Sequence, residues 1–166
     1  MKKILLIVAI FATAFVQQSF AQPVPTNRED LPKETQLSQL LTDYYNIKDA
    51  LVAGNAATAS LKAADFVKQL NEIDAKITSR DNLAALLKDA NQISESKDIK
   101  HQREHFANFS VNMFALAKSV KLSSDPIYEA YCPMKKAYWL SSETAIKNPY
   151  FGSSMLSCGS IKETLK

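Results

Sequence analysis

Apolar residues recur at intervals of three or four positions in four successive stretches of this 166-residue chain. Such spacing places apolar side chains on one face of a helix. The stretches cover about 36–53, 56–73, a third that begins at Ser79 or Asp81 and reaches Ile93, and 98–120. The scarcity of glycine, with three in the whole chain, argues against an all-β fold. Because the links are short, the sequence predicts a mainly α fold, an antiparallel four-helix bundle.

The sequence changes character after Leu122. A Ser-Ser-Asp-Pro break at 123–126 is followed by a segment rich in tyrosine. Residues 127–132 and 136–140 have the composition of short strands, and the Asn-Pro pair at 148–149 is typical of a turn. We therefore expect residues 123–166 to form a short irregular or β-containing C-terminal cap on the helices.

The amino terminus has the pattern of a secretory signal peptide. Two lysines precede an apolar run that is too short to span a membrane, and small residues follow at the expected cleavage site. Residues 1–21 are predicted to be the signal peptide, 22–35 a flexible leader, and 36–166 a single helical domain. We expect the mature protein to lie in the periplasm, with no membrane span after cleavage.

The charge balance bears on the partners that the chain can have. The formal net charge is +3 at pH 7, and two of the lysines, Lys2 and Lys3, belong to the predicted signal peptide. A nearly neutral mature chain lacks the basic surface of nucleic-acid-binding proteins. The sequence also has no Gly-x-Ser-x-Gly motif and no Gly-rich phosphate loop. We expect neither a nucleic-acid partner nor enzymatic activity.

Sulfur-containing side chains form the candidate functional group. The only two cysteines, Cys132 and Cys158, each have a methionine two or three positions away, Met134 and Met155. Thiolates and thioethers are soft donors that favour Cu(I), whereas structural zinc sites rarely use methionine. The sequence therefore predicts a soft-metal site, for copper as Cu(I) or for silver, with these four side chains as ligands.

Histidine can add to this set of ligands. His101 and His105 are the only histidines, and they lie four residues apart on the predicted fourth helix. At about 100° per residue, His105 lies beside the apolar stripe and His101 lies further towards solvent. We therefore predict His105 as a possible fifth metal ligand. A zinc-protease motif needs Glu after the first histidine, and Gln102 occupies that position.

The cysteines also have a purely structural interpretation. Two cysteines in an exported protein commonly form a disulfide. A Cys132–Cys158 bridge would stabilise the fold by about 3 kcal/mol through loop closure. Met134 and Met155 would then fill the core, which is a common use of methionine. Both interpretations hold if the cysteines alternate between a disulfide and metal binding.

Four segments of the tail carry a resemblance to a known family. They are Tyr131-Cys132-Pro133-Met134, Trp139-Leu140-Ser141, Asn148-Pro149-Tyr150-Phe151-Gly152 and Met155-Leu156-Ser157-Cys158-Gly159. Together they resemble an uncharacterised periplasmic domain family found alone or fused to the periplasmic adaptor subunits of copper/silver efflux pumps. The likeness extends over about residues 37–161. Members of that family often have a few more residues between the Cys-Pro-Met and Trp-Leu motifs.

The resemblance implies a role in periplasmic copper or silver handling, with pump adaptors or other efflux components as partners. The function expected from the sequence is therefore a Cu(I)/Ag(I)-binding protein that acts as a metal chaperone or buffer. The alternative is a non-catalytic structural or interaction module stapled by a Cys132–Cys158 disulfide.

Overall fold

The computed structural model describes residues 32–73, 76 and 79–166. Within these residues it contains four α-helices and three β-strands, and their bounds are α1 Lys33–Val52, α2 Ala56–Glu72, α3 Arg80–Glu95, α4 Ile99–Ser119, β1 Ile127–Cys132, β2 Ala137–Ser141 and β3 Ser160–Leu165. The prediction of a mainly helical chain with a β-containing cap is confirmed. The predicted signal peptide, 1–21, and residues 22–31 of the predicted leader lie outside the described residues.

The helix starts follow capping residues that are visible in the sequence. The side chain of Asn55 accepts a hydrogen bond from the backbone N–H of Thr58 at 3.0 Å and so caps α2. Ser79 caps α3 in the same way, and the carboxylate of Asp98 caps α4. Gly54 has a φ of +71°, the left-handed conformation expected after α1. The start of α1 differs from the prediction, because the helix begins at Lys33 and not near residue 36.

Aromatic side chains at the predicted apolar positions form the centre of the helical core. Each helix packs against the next one in the chain. Phe66 of α2 meets Phe109 of α4 edge-to-face, with ring centroids 4.8 Å apart. Tyr44 of α1 stacks on Phe106 of α4 at 5.3 Å. The narrower expectation of an antiparallel four-helix bundle stays a prediction.

The cap is a three-stranded antiparallel sheet in the order β2-β1-β3. The prediction of β1 at 127–132 is confirmed, and β2 begins one residue later than predicted. Cys132 pairs with Ala137 at the turn between β1 and β2. The sequence did not predict β3, which pairs with β1 across an irregularity between Glu129 and Ala130.

The sheet and the helices share one hydrophobic core. Trp139 and Leu140 of β2 are almost completely buried. The backbone N–H of Leu140 donates to the Tyr44 hydroxyl at 2.9 Å, and that hydroxyl lies 2.7 Å from Oγ of Ser110. The cap is therefore joined to α1 and α4 by packing and by a buried hydrogen-bond network.

None of the helices in the described part of the chain is long and apolar enough to cross a membrane.

Candidate functional site

Cys132 is the last residue of β1, and its side chain is fully buried. The turn at 133–136 folds back over it. The N–H of Lys136 donates to the Cys132 carbonyl at 2.8 Å, and Lys136 adopts a positive φ of 56°. The N–H of Lys135 points at the Cys132 sulfur at 3.4 Å. Strand pairing and a tight turn therefore fix the position of this thiol.

Cys158 is positioned by the buried side chain of Asn148. The Asn148 amide nitrogen donates to the Cys158 carbonyl at 2.6 Å. Its amide oxygen accepts from the N–H groups of Tyr150 at 2.8 Å and Phe151 at 3.3 Å. The Asn148 backbone N–H donates to the Leu156 carbonyl at 2.8 Å. One asparagine thus holds both ends of the loop that ends in Cys158.

At Gly159, immediately after Cys158, the backbone packs closely against the sheet. It has a φ of +155°, and a Cβ built there would lie 2.6 Å from Cη2 of Trp139 and 3.1 Å from the Tyr131 carbonyl oxygen. Any side chain at this position would clash with a buried indole and with backbone. The absence of a side chain on Gly159 therefore allows Cys158 to approach β1 closely.

The two thiols lie in contact. Their Sγ atoms are 3.8 Å apart, and both cysteines are free. A disulfide requires about 2.05 Å, so the predicted bridge is not formed in this structure. Two sulfur atoms bound to one ion through bonds of about 2.3 Å each can be separated by this distance. The structure therefore brings Cys132 and Cys158 together, as the sequence predicted.

The surroundings of Cys158 favour the protonated form of its thiol. Desolvation raises its pKa, and the hydrogen bond and charge of Cys132 raise it further. A hydrogen bond from the backbone of Met134 acts in the opposite direction. A metal ion that binds this sulfur must therefore displace a proton.

The two predicted thioether ligands lie at the surface. Met134 is 63% exposed and Met155 is 37% exposed, so neither is the core filler that the structural interpretation expects. The backbone of Met134 lowers the pKa of the Cys158 thiol, and the Met155 carbonyl accepts the Cys158 N–H at 3.0 Å. Both methionine side chains are accessible from solvent.

The contacts of His105 are with α3 and with His101 on its own helix. Its Nδ1 lies 3.0 Å from Oδ1 of Asp89 on α3, and its ring centroid lies 4.7 Å from that of His101. The structure therefore places His105 beside α3, and its role as a ligand of the thiol pair stays a prediction. Among the described residues, no group of three or more His, Cys, Asp or Glu side chains is arranged to hold a metal ion.

A buried hydroxyl network lies behind the thiols, and the sequence did not predict it. The Tyr150 hydroxyl donates to the Tyr138 carbonyl, and burial raises the pKa of Tyr150 well above its usual value. Ser110 opposes this rise in the pKa of Tyr150, and the charge of Cys132 adds to it. Tyrosines in the tail were visible as an apolar cluster, but no local signal shows which hydroxyl meets which helix.

Comparison with known families identifies the helical part of the chain. A family with the description "Protein of unknown function (DUF3347)" matches residues 40–125, more than half of the sequence. The chain belongs to this family. The matched region includes most of α1, all of α2 to α4, and ends before β1, so it does not include the thiol pair. No curated protein and no solved structure matches the chain.

Proposed function

We propose that the protein binds a soft monovalent metal ion, Cu(I) or Ag(I), between Cys132 and Cys158. The observation that carries this proposal is the 3.8 Å separation of two free thiols that lie 26 positions apart in the sequence. Two thiolates at this spacing can share one ion, and thiolate sulfur selects soft ions. Binding converts two weakly acidic thiols into ligands and releases their protons.

The exposed thioethers supply the additional ligands. Met134 follows Cys132 in the turn, and Met155 ends the short 3₁₀ turn before Cys158. A methionine side chain has three rotatable bonds, so a surface thioether can turn towards an ion held by the thiols. Two thiolates with thioether support form a set that suits Cu(I) better than zinc.

The difference in burial between the two cysteines suits the exchange of an ion. Cys132 is fully buried, whereas Cys158 is partly exposed and both methionines reach solvent. An ion can therefore pass from an external donor to a thioether and then to the thiols. This accessibility supports a chaperone or buffer, because a purely structural metal site is normally closed by protein ligands.

The proposed setting is the periplasm, in association with copper or silver efflux. Its support is the signal-peptide pattern at 1–21 and the resemblance of the four tail segments to domains fused to pump adaptors. A pump adaptor or another efflux component is the proposed protein partner, and the metal ion is the cargo.

Competition for Cu(I) tests the proposed site. The fully reduced protein is titrated with Cu(I) against a chromogenic chelator under anaerobic conditions. We expect one ion per chain, and loss of that binding in Cys132→Ser/Cys158→Ser. Leu156→Ala is the matched control, because it removes an exposed apolar side chain from the same loop and leaves the sulfur ligands in place.

Two results would contradict the metal site. One is a reduced protein that takes no Cu(I) from the chelator, and the other is a double serine variant that competes as well as its parent.

Met134→Leu and Met155→Leu separate the thioether contribution, because leucine keeps the apolar volume without the sulfur. We expect these variants to retain binding with lower affinity.

The same thiol contact also favours a second candidate function. An external disulfide oxidant that accepts two electrons as the thiols lose two protons, together with a small closing movement, would convert the 3.8 Å contact into a disulfide that ties β1 to the loop after β2. The protein would then be a non-catalytic module that docks onto an efflux assembly or another envelope protein. Thiol counting on native protein separates the two, because no free thiol, together with no metal binding after reduction, favours the module.

A further inference from the structure

We propose that His101 and His105 form a second metal site, for a divalent ion such as Cu²⁺, where α4 packs against α3. The two residues occupy successive turns of α4, and their ring centroids lie 4.7 Å apart. Histidines four apart on a helix point to the same side, which is the spacing of helical metal chelates. One ion at about 2.0–2.1 Å from a nitrogen of each ring can bind both imidazoles.

A buried carboxylate orients one of these imidazoles. The Asp89 side chain is 8% exposed, and its Oδ1 lies 3.0 Å from Nδ1 of His105. A proton on Nδ1 in this contact leaves Nε2 as the metal-binding nitrogen. Carboxylates in this position fix the tautomer of metal-binding histidines and raise their basicity. Asp89 is therefore a positioning residue for the proposed site.

The surroundings of His101 are open to solvent and contain oxygen donors. His101 lines a shallow depression together with Gln92, Glu95, Ser96 and Asp98. Glu95 and Asp98 are exposed carboxylates at the end of α3 and the start of α4. An ion bound by the two imidazoles can complete its coordination with water, which reaches His101 through this depression.

The ligand chemistry separates this site from the thiol pair. Imidazole nitrogen suits borderline divalent ions, and affinity at such sites is highest for Cu²⁺ among the common first-row ions. The thiols favour Cu(I). The inference goes beyond the proposed function and uses none of its sulfur ligands. If both sites exist, one chain holds the two oxidation states of copper at separate places.

The test uses the full chain with Cys132→Ser/Cys158→Ser, because thiols would reduce Cu²⁺. Cu²⁺ is titrated by calorimetry, and the bound ion is examined by electron paramagnetic resonance for coupling to two imidazole nitrogens. His101→Ala and His105→Gln are each expected to weaken binding at least about tenfold. Glutamine keeps a donor for Asp89, and Glu104→Ala, an exposed neighbour on α4, is the control.

Asp89 variants test the positioning role. Asp89→Ala is expected to weaken Cu²⁺ binding by about 10–100-fold, and Asp89→Asn to restore most of it, because the amide oxygen still accepts from Nδ1. Circular dichroism checks that each variant keeps its helices. Unchanged Cu²⁺ affinity in both histidine variants, or a spectrum without two nitrogen ligands, overturns the proposal. Because the parent lacks the thiols, failure of the Cu(I) site cannot cause either result.

Discussion

Asn148 and Cys132 show how two local arrangements create one thiol pair. Cys132 is placed by strand pairing, and Cys158 is placed by the side chain of Asn148. Neither arrangement involves direct contact between the methionine side chains and the core. The separation between the sulfur atoms therefore depends on hydrogen bonds within the cap.

Removal of the Asn148 side chain should disturb both stability and metal binding. Asn148→Ala leaves the N–H groups of Tyr150 and Phe151 without their acceptor and frees the Cys158 carbonyl. Loss of buried hydrogen bonds of this kind costs about 1–3 kcal/mol. Urea unfolding should show that loss, with a weaker Cu(I) affinity in the reduced protein. Asn108→Ala, at an exposed position on α4, should change neither quantity.

The affinity for Cu(I) should rise with pH. The folded structure raises the pKa of Cys158 above its usual value of 9.0, so at neutral pH the ion must displace a proton. Each displaced proton contributes up to about a tenfold gain in affinity per pH unit below that pKa. Chelator competition at pH 6, 7 and 8 measures the slope. A flat profile would contradict binding through Cys158.

The sequence indicated which two residues form the thiol pair, but it did not indicate their surroundings. Because the chain has only two cysteines, only one pairing within the chain is possible. The contact of His105 with Asp89 was not predictable, because it depends on how α3 turns relative to α4. Helical spacing shows which face a residue occupies, and it does not show which neighbour meets that face.

At the level of single elements, the strands show what a pattern can and cannot predict. β1 and β2 carry large apolar side chains, and both were predicted nearly to the residue. β3 has the sequence Ser-Ile-Lys-Glu-Thr-Leu, with polar residues between partly buried ones, and it lies at the sheet edge. An edge strand buries little surface, so its composition resembles that of a loop.

The pairing of β1 with β3 carries an electrostatic cost that a substitution can remove. Burial raises the pKa of Glu129, its partner Glu163 raises it further, and Lys118 opposes the shift. A raised carboxyl pKa means that Glu129 favours folding below its usual pKa of 4.5, and this contribution is lost as the pH rises. Glu129→Gln should therefore stabilise the protein at pH 7.

Urea unfolding at pH 4 and pH 7 checks this prediction. The free energy of unfolding of the variant should increase relative to that of its parent as the pH rises between these values, because only the parent acquires the buried charge. Glu163→Gln is the comparison, since Glu163 is more exposed and pairs with Lys118 at 3.0 Å. That substitution removes an exposed ion pair worth about 0–1 kcal/mol and also the repulsion on Glu129, two effects of opposite sign, so its net effect should be small. A Glu129→Gln variant that loses stability at pH 7 would contradict the argument.

For the whole molecule, the core extends beyond the region that the family match covers. The match ends at residue 125, but the buried cluster continues through β1, β2 and Tyr150. Tyr44 in α1 and Leu140 in β2 are joined by a buried hydrogen bond. The helices of this chain therefore have an apolar surface that the cap covers.

A chain truncated after Asp125 should lose its cooperative fold. Truncation exposes Phe106 and Tyr44 and removes Trp139, which is 1% exposed in the intact chain. Loss of a large buried aromatic side chain alone costs about 3–5 kcal/mol, a large part of the stability of an ordinary domain. Thermal unfolding followed by circular dichroism should change from a sharp transition to a broad one. A truncated chain with an unchanged midpoint would show that the helices fold independently.

The helices themselves were predictable because local signals agree with the packing. Asn55, Ser79 and Asp98 cap the helices that follow them, and the predicted apolar stripes are buried or partly buried. The attachment of the cap was not predictable to the residue, because it depends on contacts such as that between Tyr44 and Leu140, almost a hundred positions apart. Long-range pairing of this kind leaves no periodic trace in the sequence.

The turn at 133–136 is held against the buried thiol, because the N–H groups of Lys136 and Lys135 donate to the carbonyl and to the sulfur of Cys132. Residues inserted into this turn would draw those donors away from Cys132, whereas Cys158 would keep its hydrogen bond with Asn148. The length of one short turn therefore sets the surroundings of one sulfur atom and leaves the other unchanged.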